Sequence, residues 1–149
     1  MDKPTPLAGL RIVDMSTVVM GPFATQILGD LGADVIKVET HAGDTTRHVT
    51  PMRSPDMGWV FLHANRNKRS LVLDLKDPAG KAALMKVLEG ADALVTNVRT
   101  RGLARLGLTY EALSKINPRL IVVNLVIAVV LGRMGLRAWR ASRPPVAVR

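Results

Sequence analysis

The side chains best suited to chemistry in this sequence are basic and come in two groups. Asn65-Arg-Asn-Lys-Arg69 is a cationic cluster just ahead of the alternating run Leu71-Val-Leu-Asp-Leu75. Arg99, Arg101 and Arg105 follow a second apolar run that closes on Asn97. Arginine forks and lysine point charges both suit phosphate oxygens, so either group could hold a phosphorylated ligand. The first cluster reads equally well as an exposed basic loop. If both groups stand at the C-terminal edge of one sheet, they favour an anion carrying several phosphates.

Groups that react covalently are harder to find. There is no cysteine, which excludes a thiolate nucleophile, a thiolate metal site and a disulfide framework. His41, His48 and His63 have no ligand-like spacing, so surface or packing roles are expected and no metal. Asp14, Asp34, Glu39 and Asp74 fall at the ends or starts of candidate strands, where carboxylates cap or pair. Nothing marks two of them as an acid/base couple. With no Ser-His-Asp order and no nucleophile elbow, the chain reads as a binding half without a reactive group.

The elements that must position the basic groups are organised around residues 20–39. Gly21 permits a close turn, and Pro22 suits the first helical position, where its missing N–H costs nothing. Phe23, Ile27, Leu28 and Leu31 recur at helical spacing on one face. Gly32 suits a left-handed helix end. Val35, Ile36 and Val38 make a short β-branched run, as does Leu10-Arg-Ile-Val-Asp14 upstream, so the opening is one βαβ unit. Ligands of such units gather at the strand C-termini. The fingerprint G-x-G-x-x-G is absent, which disfavours a dinucleotide enzyme.

Further along, residues 41–57 read as a long surface loop and residues 59–64 as a short helix. Residues 71–75 read as a strand. Asp77-Pro78 starts a helix that Gly90 stops, and residues 93–97 form a buried strand. Short helices over residues 103–106 and 109–115 precede a last strand at 120–125. The order argues an α/β fold: an open, mostly parallel, Rossmann-like sheet with helices on both faces.

With 149 residues, 48% of them hydrophobic, the chain is long enough for one domain with its own core. The net charge of +9 hints at nucleic acid, but five of the 21 basic residues (Arg133, Arg137, Arg140, Arg143 and Arg149) lie in a tail with no acid. The other 16 face 12 acidic residues, an ordinary balance for a protein handling a small anion. No aromatic-studded groove accompanies the charge, so no nucleic-acid partner is expected. The first residues lack an apolar signal region, and a cytoplasmic location is expected. The apolar run of residues 120–131 is too short to cross a bilayer, so no membrane partner is expected either. From Val126 onward helical and strand periods are both lost, and this tail is expected to pack loosely.

Several motifs taken together resemble a known family. Pro6-Leu-Ala-Gly-Leu-Arg-Ile-Val-Asp14, Gly21-Pro22 and Leu28-Gly-Asp-Leu-Gly-Ala-Asp-Val-Ile-Lys-Val-Glu39 resemble the start of family III CoA-transferases, the CaiB/BaiF family. Gly43-Asp-Thr-Thr-Arg47, Asn65-Arg-Asn-Lys-Arg-Ser70, Leu73-Asp-Leu-Lys76 and Leu106-Gly-Leu-Thr-Tyr110 continue the pattern, which spans residues 4–125. α-Methylacyl-CoA racemases share the opening, so a racemase-like fragment is an alternative, as is a non-catalytic CoA-binding fragment. The Asn-Lys-Arg-Ser form of the cluster looks more like the transferases.

The resemblance implies a CoA-binding Rossmann-like domain over residues 1–125, with 126–149 as an atypical basic tail similar to a frame-shifted terminus. Coenzyme A, as acyl-CoA substrate, is the implied ligand, and interlocked homodimers are the implied assembly of full-length relatives. Carried across by position, CoA contacts fall at Val18, Leu73, Lys76, Asn97, Val98, Arg105 and Leu106. Lys76 and Arg105, with Arg66 or Lys68, are expected at the phosphates. In the family an aspartate attacks the acyl-CoA thioester to give a mixed anhydride. That aspartate lies well beyond Asn117-Pro-Arg-Leu120, where this chain has already ended, so no catalytic residue is expected and the chain reads as a truncated, catalytically incomplete part. Val19 stands where formyl-CoA transferase has a glutamine near the acyl group, and Thr40 where it has an arginine that stacks on adenine.

Overall fold

The computed structural model describes residues 5–125. The expectations for the tail, including the domain boundary after residue 125, lie outside those residues. Five strands, β1 (Arg11–Met15), β2 (Asp34–Glu39), β3 (Lys68–Val72), β4 (Ala93–Thr96) and β5 (Ile121–Asn124), form one sheet in the order β3-β2-β1-β4-β5. Every neighbouring pair is parallel. The strand order reverses between β1 and β4, the place where open α/β sheets leave a crevice at their C-terminal edge.

Five helices join the strands: α1 (Met20–Asp30), α2 (Trp59–Asn65), α3 (Pro78–Glu89), α4 (Thr100–Leu106) and α5 (Tyr110–Ile116). The cap expected at Asp77 forms, and Thr109 supplies another. The Asp77 carboxylate accepts the Ala79 N–H at 3.0 Å with Pro78 at the first position, and Thr109 Oγ1 accepts the Ala112 N–H at 3.3 Å. Gly32 ends α1 with a φ of +100°. Pro22 sits two residues further into α1 than expected, because the helix begins at Met20. It is still in the first turn, where no donor is needed. The segment read as a loop over 41–57 contains a 3-10 turn, Thr45–His48, capped by the Asp44 side chain.

The two faces of the sheet are unlike. Val13, Met15, Val38 and Leu94 pack on Leu84 and Leu88 of α3, Leu103 of α4 and Leu113 of α5 in the main apolar core. On the opposite face Ile12, Val35 and Val95 meet a smaller apolar cluster with Ala33 and Leu28. Of the apolar face of α1, only Leu28 packs there. Phe23, Ile27 and Leu31 are 44%, 43% and 40% exposed, while Thr25 and Gln26 are fully buried. Of the two buried polar side chains, Thr25 donates to Asp14 in the sheet at 2.6 Å, which an apolar residue there could not do, whereas Gln26 donates to Asp30 of its own helix.

β3 also begins earlier than the alternation suggested, at Lys68 and not Leu71. The period-two reading of the side chains is nevertheless right, since Leu71, Leu73 and Leu75 all pack toward the main core. The hydrogen-bonded ladder simply starts three residues sooner, on an edge strand that tolerates charge.

Candidate functional site

Two neighbouring clefts open at the C-terminal edge of β1, β2 and β3. The deeper, about 270 Å³, has an apolar wall of Met15, Val38, Leu73, Leu75, Val98 and Leu106. Thr17, Thr40, Asp44, Asp74 and Lys76 supply its polar rim. A more open cleft of about 400 Å³ lies beyond Glu39, Thr40 and Gly43, bordered by His41, Arg47, His48 and Asp56.

Of the seven residues named from the sequence, Leu73, Lys76, Val98 and Leu106 line the deeper groove. Asn97 stands beside it, holding the β1–α1 loop: its Nδ2 donates to the Thr17 carbonyl at 2.9 Å and its Oδ1 accepts the Thr17 N–H at 3.1 Å. Val18 is the next residue of that loop, half exposed. Arg105 is exposed on α4, one residue before Leu106. Neither Lys76 nor Arg105 makes an ion pair among the described residues, and Arg99 and Arg101 are exposed as well. The residues present therefore fit a ligand with an apolar stem and an anionic end: a greasy wall with uncommitted cations at its rim.

The other basic cluster does not join them. Arg66 donates to Asp30 at 2.5 Å, and Arg69 to Asp34 at 2.6 Å, near the N-terminal end of the strands. Lys68 is turned inward, 2.8 Å from Asp14, and also donates to the Pro22 carbonyl and to Asn65 Oδ1. The expectation that Arg66 or Lys68 reaches a phosphate at the strand C-termini is thus corrected. The cluster runs into the first residues of β3, and its charges pair within the protein, Lys68 in the interior and Arg66 and Arg69 at the surface.

Beneath the groove runs a chain of buried charge. Asp14, fully enclosed, accepts from Lys68, from Thr25 Oγ1 at 2.6 Å, and from the Ser16 hydroxyl and N–H. Burial alone would raise its pKa, but Lys68, Lys37 and these hydrogen bonds outweigh it and hold the carboxyl below its ordinary range. Lys68 is pushed the other way for a cation: burial, with Lys37 nearby, lowers its pKa against the pull of Asp14. Lys37 stands 3.1 Å from the buried Asp44 and donates to the Ser16 carbonyl at 2.9 Å. Glu39 takes a two-pronged bond from Arg47, at 3.0 and 2.6 Å, while the guanidinium carbon of Arg47 lies 3.7 Å from the centre of the Phe61 ring. Burial opposes ionisation of Glu39 and Asp44 too, and their hydrogen bonds and cations again prevail, so both stay below the usual carboxylate range.

Sequence reasoning passed over Thr17, Lys37 and Asp44. A lysine inside the β-branched run Val35-Ile36-Lys37-Val38 is the signal that could have pointed to Lys37, because a lysine in a covered strand requires a buried partner. Gly21 has a concrete cause: a Cβ there would collide with the Ser16 side chain, so the start of α1 can close on the loop only at glycine. The carboxylates behave as expected, with Asp14, Asp34 and Glu39 paired and Asp74 accepting the Lys76 N–H at 2.9 Å. His63 stacks on Phe23 and His48 meets Asp56. Among the described residues no group of side chains could hold a metal ion. No helix of the described residues is long and apolar enough to cross a membrane.

A parallel doubly wound sheet with a groove at its C-terminal edge, next to the strand-order reversal, defines a Rossmann-like α/β protein. Residues 7–126 match the family model of CoA-transferase family III, and the chain belongs to that family. It is 42% identical over 131 residues to a succinate–glutarate CoA-transferase of Agrobacterium fabrum, covering 83% of this chain and 33% of that one. It is 41% identical over 147 residues to the mouse succinyl-CoA:glutarate CoA-transferase, covering 98% of this chain and 33% of that one. A crystal structure of a CaiB/BaiF family protein from Brucella suis superposes with a TM-score of 0.76 at 39% identity, over 80% of this chain and 33% of that chain. The chain spans about a third of the length of the curated relatives it matches.

Proposed function

We propose that this chain is the CoA-binding portion of an enzyme that moves CoA between an acyl-CoA and a carboxylate. The carrying observation is the convergence of Leu73, Lys76, Val98 and Leu106 on one groove, with Lys76 and Arg105 free of internal ion pairs. The apolar wall takes the pantetheine arm, and Lys76 and Arg105 meet the phosphates. Asn97 sets the loop that forms one side of the groove, with Val18 next to it and Val98 on the groove wall. What these residues do is bind and orient a thioester. Of the carboxylates that line the groove, Glu39 and Asp44 are committed to Arg47 and Lys37, while Asp74 accepts the Lys76 N–H at the exposed rim.

Calorimetric titration of CoA into the wild-type chain and into Arg105→Ala tests the reading, with NADH and a DNA duplex as controls. Saturable CoA binding weakened by the substitution is expected. Equal binding by both proteins, or tighter binding of DNA than of CoA, removes the proposed site.

A further inference from the structure

Val18 adopts a φ of +74°, in the left-handed region that β-branched residues rarely enter, and it does so half exposed beside the groove. Such a conformation persists only where its surroundings impose it. Asp44 is the group that imposes it. The two oxygens of its carboxylate accept the Val18 N–H at 3.3 and 3.2 Å. Asp44 is itself fixed from three further directions: by the Thr46 N–H at 3.0 Å, the Thr46 hydroxyl at 2.8 Å and the Lys37 ammonium at 3.1 Å. Lys37 also holds the Ser16 carbonyl. The Lys37–Asp44 pair therefore grips the loop at Ser16 and again at Val18, while Asn97 holds Thr17 between them.

Nothing in α1 replaces this clamp. Val19, the residue before the helix, makes no side-chain cap. With Val18 extended, as its side chain prefers, the chain direction through Thr17 and Val19 would change, and Thr17 is part of the groove wall. The cost of the unfavourable backbone is thus met by a buried, neutralised carboxylate that lies 26 residues away in sequence.

We propose that Asp44 is a positioning residue of the groove, acting through Val18: it holds the β1–α1 loop in a strained shape that matches CoA. This rests on the reading of the groove as a CoA site. The loop is fixed before ligand arrives, and the ligand is spared the cost of ordering it.

The test compares Asp44→Asn in two backgrounds, the wild-type chain and Val18→Gly, because glycine adopts this φ without strain. Titrated with CoA, Asp44→Asn should weaken binding by about tenfold in the wild-type background, within the range such backbone strain spans. In the Val18→Gly background the same substitution should cost less than about threefold, since no strain remains to be held. A general loss of fold would weaken binding equally in both, so equal losses overturn the proposal, as does an unchanged affinity in Asp44→Asn. Hydrogen exchange of the wild-type Val18 amide gives a readout that needs neither a variant nor a ligand. Exchange slower than that of a free peptide by about tenfold or more supports the clamp, and free exchange overturns it even if Asp44→Asn fails to fold. Absence of CoA binding to the wild-type chain, with that amide still protected, sinks the CoA reading of the groove and the role assigned to Asp44 in it, while leaving the clamp itself standing.

Discussion

The ammonium of Lys68 lies 2.8 Å from the carboxylate of Asp14, with both side chains closed off from solvent. The pair joins an edge strand to the middle of the sheet and, through the Pro22 carbonyl, to the first turn of α1. Removing one partner leaves the other charged and alone in the interior. Lys68→Met should destabilise the fold by about 3–5 kcal/mol, and Lys68→Met combined with Asp14→Leu should cost markedly less. Urea unfolding of the three proteins measures both. A double variant as unstable as the single one shows that the pair contributes more than mutual neutralisation.

Acid should undo the polar side of the sheet first. Asp14, Asp44 and Glu39 have folded pKa values below their ordinary 3.8, 3.8 and 4.5. The unfolded chain therefore takes up protons before the folded one as pH drops. Stability from these groups is complete above the ordinary values and is lost as pH falls through the depressed ones. Thermal melts should show a steady loss of Tm below about pH 4.5 and little change from pH 5 to 7 from this source. A Tm flat down to pH 3 contradicts the assigned ion pairs.

Ionic strength should weaken the proposed ligand. Lys76 and Arg105 are exposed, so their attraction for phosphate is screened over a Debye length of about 10 Å at 0.1 M salt. CoA affinity should fall severalfold between low and moderate salt, and Lys76→Ala should flatten that dependence. Replacing Arg66, which is already paired with Asp30, should leave the salt slope unchanged. A slope that responds to Arg66 and not to Lys76 relocates the phosphates.

The two sides of the sheet should respond very differently to truncation. Leu84, fully buried on α3, should lose about 2–5 kcal/mol on conversion to alanine, as large-to-small changes in a packed core do. Ile27→Ala, on the exposed side of α1, should stay within about 1 kcal/mol. Chemical denaturation compares them directly. A comparable loss at Ile27 means that its face is covered in solution.

Much of this protein is legible in its residues alone, because local chemistry decides it. The cap at Asp77, the left-handed stop at Gly32 and the β-branched runs at 35–38 and 121–123 each depend on neighbours a few positions away. Alternating strands and helices then leave few topologies besides a parallel sheet. Leu73, Lys76, Val98 and Leu106, positions that the family resemblance singles out, line one groove. Pairings across long sequence distances were not legible. Whether Lys68 meets a phosphate or Asp14, 54 residues away, depends on where β3 begins, and a shift of three residues carried the basic cluster into the sheet. The burial of Thr25 and Gln26 in place of Phe23 and Ile27 likewise depends on what lies under α1. Helical periodicity identifies a face, but only the tertiary structure decides which face is inside: here the buried Asp14 of the sheet is met by Thr25 from the helix above it.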